Sequence, residues 1–83
     1  LKRFCVAQKT YKKLIRPYTD TPTLPSVISG YIVSFFQCFA DENVRTAAFF
    51  SLSKKFQKRP SILFQIYYLE GLVYYQEGHD KKA

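Results

Sequence analysis

From Leu1 to Arg16, apolar residues recur at spacings of three and four. Phe4, Ala7, Tyr11, Leu14 and Ile15 share one face of a helix, and Lys2, Arg3, Lys9, Lys12 and Lys13 lie mostly off it. Pro17 ends that helix, because proline has no backbone donor and disfavours helical geometry in the residue before it. Tyr18 to Leu24 reads as a stiff connection built on Asp20, Pro22 and three threonines. A second helix is predicted from Pro25 to Ala40, with Pro25 in its first turn and Ile28, Ile32, Phe35, Phe36 and Phe39 as its apolar stripe. The β-branched and aromatic content of this run also suits a strand, but its length favours helix. Asp41-Glu42-Asn43 is a polar break in which Asp41 or Asn43 can cap the next helix. That third helix, Val44 to Lys58, carries Val44, Ala47, Ala48, Leu52 and Phe56 at helical spacing and is stopped by Pro60. Ser61 is expected to cap a fourth helix over Ile62 to Glu77, with Leu63, Ile66, Tyr67, Leu69, Tyr74 and Tyr75 as bulky members. Gly78-His79 then reads as a turn and Asp80 as the cap of a fifth helix.

The pattern predicts an all-α chain of antiparallel helical hairpins, since consecutive helices with short connections pack as antiparallel neighbours. With 83 residues, 47% of them apolar, the chain makes one small domain and is too hydrophobic for intrinsic disorder. Closed catalytic architectures of roughly 200 residues are excluded. The chain starts at Leu1 and contains no Met, so it is expected to be part of a longer protein. The longest uncharged stretch, Thr21 to Ala40, is interrupted by prolines, serines, threonines, Gly30 and Gln37, and a core helix fits it better than a membrane span. Cys5 and Cys38 are too few for a disulfide framework or a zinc site. They read as two reduced, packed thiols of a cytoplasmic or nuclear protein, although sequence alone leaves a Cys5–Cys38 bridge open.

The most specific stretch is Tyr67-x2-Glu70-Gly71-x2-Tyr74-x3-Gly78-x4-Ala83. It resembles the first helix and turn of a tetratricopeptide repeat, in which an aromatic residue precedes Leu-Gly, then Tyr, a turn Gly and an Ala. Gly71 would admit the second helix of the hairpin, Tyr74 would fill the space one turn later, and Ala83 would be the small residue where the two helices cross. Glu70 stands where the family usually has leucine, which puts a charge near a helix interface. Ala48-x3-Leu52-x2-Lys55-x4-Pro60 resembles a second helix of the preceding repeat. Lys55 stands there at a usually small position, and Phe36 replaces the glycine of the matching first helix. Ala7-x3-Tyr11-x2-Leu14 before Pro17 resembles the second helix of a further repeat, with its proline two residues early. The resemblance covers about 20 residues closely and about 60 loosely. It implies one helical-repeat domain over 1–83: a helix at 1–17, a degenerate hairpin at 25–60, and the first helix and turn of a hairpin at 61–83. The implied array is a stacked superhelix.

In that family the first helices line a groove that holds a partner peptide or helix. By the resemblance, Gln65, Tyr68, Leu72, Tyr75 and Gln76 would face it from the fourth helix, and Val33, Gln37 and Ala40 from the second. A hairpin cannot bury its apolar face alone, so self-association through the open C-terminal end is a further expectation. The expected function is therefore a non-enzymatic protein–protein interaction scaffold within a larger assembly.

Charge supplies the alternative. Thirteen Lys and Arg against six Asp and Glu give a net +7, which suits an acidic partner such as nucleic acid, an anionic membrane or an acidic peptide. Lys9, Lys12, Lys13 and Arg16 with Lys54, Lys55, Lys58 and Arg59 form a possible phosphate patch, whose affinity would fall steeply with salt. In the repeat scheme the same residues lie on the convex, solvated side. No catalytic, metal or cofactor residues stand out. The six acids sit mostly in turns or at helix ends, and His79 is the only histidine.

Overall fold

The computed structural model describes residues 2–76, with side chains from Arg3 onward, so Gly78, His79, Asp80, Ala83 and the expected fifth helix lie outside the described residues. The described residues fold into four helices: α1 (Lys2–Ile15), α2 (Leu24–Cys38), α3 (Glu42–Lys55) and α4 (Pro60–Gln76). Among the described residues there is no strand. No helix among the described residues is long and apolar enough to cross a membrane.

Helix ends follow local chemistry. The Asp41 carboxylate accepts from the backbone N–H of Asn43 at 2.7 Å and of Val44 at 3.3 Å, so Asp41 rather than Asn43 caps α3. Pro25 sits in the first turn of α2, where its missing donor costs nothing. The expected Ser61 cap is displaced, because α4 already begins at Pro60.

The core is built on α2, which buries Leu24, Val27, Ile28, Tyr31, Ile32 and Phe36. Around it pack Ile15, Phe49, Leu52, Phe56, Ile62, Ile66 and Val73. Two expected apolar-face positions lie further out: Phe4 and Val44 are exposed, and so is the bulky Tyr67 of α4. Gln8, Ser34 and Arg45 are buried in addition to the predicted apolar residues. Ser34 satisfies its hydroxyl by donating to the Gly30 carbonyl at 2.6 Å, with the Tyr31 carbonyl at 3.2 Å.

Cys5 and Cys38 form a disulfide with Cα atoms 4.8 Å apart, which corrects the expectation of two reduced thiols. The bridge ties the start of α1 to the end of α2, so the two helices are antiparallel. The Tyr11 ring lies against Gly30, where a side chain would run into it. Gly30, which the motif did not single out, is thus the glycine whose missing side chain admits a ring from the neighbouring helix. Gly71 has nothing within 4 Å of where a Cβ would stand, so the close approach expected there is not made by the described residues.

α3 returns antiparallel to α2. Phe36 meets Phe49 edge-on at 5.0 Å, and Arg45 reaches the end of α2. α4 runs parallel to α2, because Gln65 contacts Pro25 and Ser29 while Tyr74 meets Phe36 edge-on at 5.3 Å further along both helices.

Candidate interaction surfaces

Apolar side chains surround α4. Ile62, Ile66, Leu69 and Val73 form the face packed into the core. On the opposite side, Phe64, Tyr67, Tyr68 and Tyr75 are 73%, 56%, 60% and 71% exposed. Residues 64, 68, 71 and 75 are spaced by four, three and four, so Gly71 lies in the middle of this aromatic stripe. A helix that is apolar all round is characteristically buried on all sides.

The expected groove residues divide by role. The Gln65 amide donates to the Pro25 carbonyl at 2.7 Å and to Ser29 Oγ at 2.9 Å, so it holds α4 against α2 instead of facing a ligand. Val33 and Gln37 are exposed one and two turns beyond Ser29, and Ala40 is exposed after α2 ends. Because α2 and α4 are parallel, the row Ser29–Val33–Gln37 and the row Gln65–Leu72–Gln76 run in the same direction from the Ser29–Gln65 contact. Tyr68 and Tyr75 extend that strip outward across α4. Phe64 and Tyr67 belong to the same exposed surface and were missed as site residues. A count of apolar residues on every side of α4, not on one face, would have pointed to them.

The eight residues of the possible phosphate patch do not form one patch. Lys9, Lys12, Lys13, Arg16 and Lys55 line a single open groove of about 810 Å³ between α1 and α3. Its apolar lining is Ile15, Tyr31, Phe35, Ala47, Ala48 and Leu52. Burial pushes the Tyr31 phenol above its usual 10.0, so it is neutral at physiological pH. Lys54 faces a different cleft, between α3 and α4, with Phe50, Leu63 and Tyr67. Lys58 is exposed in the turn after α3. Arg59 donates through Nη1 to the Thr19 carbonyl and lies 3.9 Å from the Asp20 carboxylate. It joins the two connecting segments, a structural role that takes it out of the patch.

Arg45, in the first turn of α3, is only 5% exposed. Its Nε–H donates to the Phe39 carbonyl at 2.6 Å and its Nη2 to the Phe36 carbonyl at 2.7 Å. The guanidinium carbon sits 4.3 Å from the centre of the Phe36 ring. Terminal carbonyls of a helix lack intrahelical partners and carry its negative pole, so Arg45 caps α2 from the side.

Glu70 falls on the flank of α4 shared by Leu63, Tyr67 and Tyr74, at spacings of three and four. Partial burial raises its carboxyl above the ordinary 4.5. A raised folded-state value means that the folded chain holds this proton more tightly than the unfolded chain. The resulting stability is fully present below the unfolded value and is lost as pH rises through the folded one. Glu70→Gln is therefore expected to raise the thermal midpoint at pH 7 and to leave it unchanged near pH 3, by circular dichroism. An equal gain at both pH values would mean that ionisation is not the cause.

Among the described residues, no group of three or more His, Cys, Asp or Glu is placed to hold a metal ion. These features define an all-α, four-helix unit with two separate open surfaces, one aromatic and one basic. No protein family matches the chain, and no characterised protein or solved structure matches it either.

Proposed function

We propose that this chain is a non-enzymatic interaction module, stacked in the manner of tetratricopeptide hairpins, that scaffolds a larger assembly by holding a partner peptide or helix. The observation that carries the reading is α4, with one apolar face in the core and an aromatic stripe of Phe64, Tyr67, Tyr68 and Tyr75 on the other. Tyrosine suits such a surface because it offers large contact area, few torsions to freeze and a hydroxyl for hydrogen bonding. The parallel pairing of α2 with α4, with α1 antiparallel beside α2, is compatible with such stacking. Leu72, Gln76, Val33 and Gln37 continue the docking strip from the tyrosines towards α2.

In the absence of its partner, the stripe is expected to be covered by a second copy. Light scattering of the oxidised chain from about 10 µM to 1 mM should show a concentration-dependent dimer. Tyr68→Ala with Tyr75→Ala should return it to a monomer, and added salt should leave the wild-type dimer largely intact, because the contact is apolar. A wild-type monomer across that range, or a dimer that salt dissolves, counts against the reading.

A further inference from the structure

We infer that the groove between α1 and α3 is a docking site for an acidic amphipathic helix of a partner protein. Its rim carries Lys9, Lys12, Lys13 and Arg16 on one side and Lys55 on the other, and no carboxylate among the described residues lines it. Its apolar lining includes Ile15, Tyr31, Phe35 and Leu52, drawn from α1, α2 and α3. Lys9 to Arg16 extends about 10 Å along α1, the rise of two helical turns. An occupant of that length, apolar on one side and acidic along both edges, would bury its stripe on the lining and pair its carboxylates with the rim. This is helix-in-groove recognition, with anchors at spacings of three and four.

The lining discriminates against the other anionic partners. Nucleic acid bound without sequence preference uses aromatic rings as stacking platforms. Here the Phe35 ring is flanked by Tyr31 at 5.6 Å and Phe39 at 4.6 Å, so its neighbours are already aromatic side chains of α2 and the residue after it. Tyr31 itself is buried. A bilayer surface requires apolar groups that project towards it, whereas Tyr31 and Leu52 are buried within a groove rimmed by long cationic chains. The positive rim also speeds encounter with an acidic segment and rejects basic ones.

The experiment uses the oxidised full chain and fluorescence anisotropy with labelled synthetic peptides of about 18 residues, long enough to form helix on binding. One peptide has a leucine stripe flanked by glutamates, the second has the same composition scrambled, and the third has lysines in place of the glutamates. A single-stranded oligonucleotide and vesicles of anionic lipid are run in parallel. The striped acidic peptide is expected to bind at least about tenfold more tightly than every other probe. Ala47→Glu, which puts an acid on an exposed part of the groove lining, should weaken binding about tenfold or more. Lys12→Glu with Lys55→Glu should do the same, whereas Lys58→Glu, outside the groove, should change it less than about twofold. Each variant is first checked for an unchanged melting curve, so that lost binding is not lost folding.

The inference is overturned if the striped peptide fails to bind at about 1 mM, or if the scrambled peptide binds as well. Tighter binding of the oligonucleotide or the vesicles, or an equal loss from Lys58→Glu, also overturns it. Tyr68→Ala with Tyr75→Ala should leave the affinity for this peptide unchanged. The two surfaces are thus tested separately, and either can fail without the other.

Discussion

Arg45→Ala is expected to destabilise the domain by about 2–4 kcal/mol. The guanidinium donates to the carbonyls of Phe36 and Phe39, and an acceptor left buried without a partner costs about 1–3 kcal/mol. A chain of this size has a total stability of roughly 4–12 kcal/mol, so the loss is a large part of the whole. The thermal midpoint should fall by about 10–25 °C, at the 4–8 °C per kcal/mol typical of small domains. Two further variants separate the causes. Arg45→Met keeps much of the packing on Phe36 but removes both donors, and should be nearly as damaging. Arg45→Lys keeps the charge at the negative end of α2 but loses the fork that reaches two carbonyls at once, and should fall between Met and wild type. The readout is thermal and urea denaturation followed by circular dichroism. If Arg45→Ala melts within about 3 °C of wild type, the carbonyls are satisfied in some other way and the capping role is lost.

Reducing the Cys5–Cys38 bridge should be of similar consequence. The two cysteines are 33 positions apart. Closing a loop of that length restricts the unfolded chain by about 3–4 kcal/mol in loop-closure entropy. The oxidised protein should therefore melt well above the same protein in reductant, and the pair Cys5→Ala with Cys38→Ala should melt with the reduced form. Equal midpoints in oxidant and reductant would show that the bridge holds nothing. The consequence reaches the basic groove, because α1 forms one of its walls and is fastened at its first turns to the end of α2. The same end of α2 is gripped by Arg45, seven residues on from Cys38. The two changes share one structural element, and their combined cost is not expected to equal the sum of the separate costs. A bridge of this kind persists in an oxidising compartment and opens in a reducing one.

The four helices were legible because each carries apolar residues at helical spacing between prolines and polar breaks. Their ends fall within a few residues of the expected positions, since Pro17, Asp41 and Pro60 act through neighbouring backbone alone. The face of α2 carrying Ile28, Ile32 and Phe36 was equally readable. The aromatic surface on α4 was partly so. Tyr68, Leu72 and Tyr75 face outward by resemblance to a repeat, whereas Phe64 stands outside that pattern and Tyr67 enters it only as a bulky helix member and the motif's first aromatic. The basic patch was legible as a set of charges but not as a site. Four of its members on α1 and in the turn after it meet Lys55 across a groove, while Lys54 faces another cleft and Arg59 is engaged with Thr19 and Asp20.

What the sequence determined by itself is whatever depends on residues a few positions apart: helix type, helix ends, a cap at Asp41 or Asn43 and an overall excess of positive charge. These are set by backbone sterics and by side chains that meet within one or two turns. The tertiary structure alone decided which distant groups share a place. It joined Cys5 to Cys38, laid Tyr11 on Gly30 instead of bringing a described helix to Gly71, buried Arg45 under the end of α2, and sorted the lysines between two clefts. Each of these follows from how whole helices cross and are spaced. That is fixed by the packing of large side chains such as Phe36, Phe49 and Tyr74 against one another, a property that no local window of residues contains.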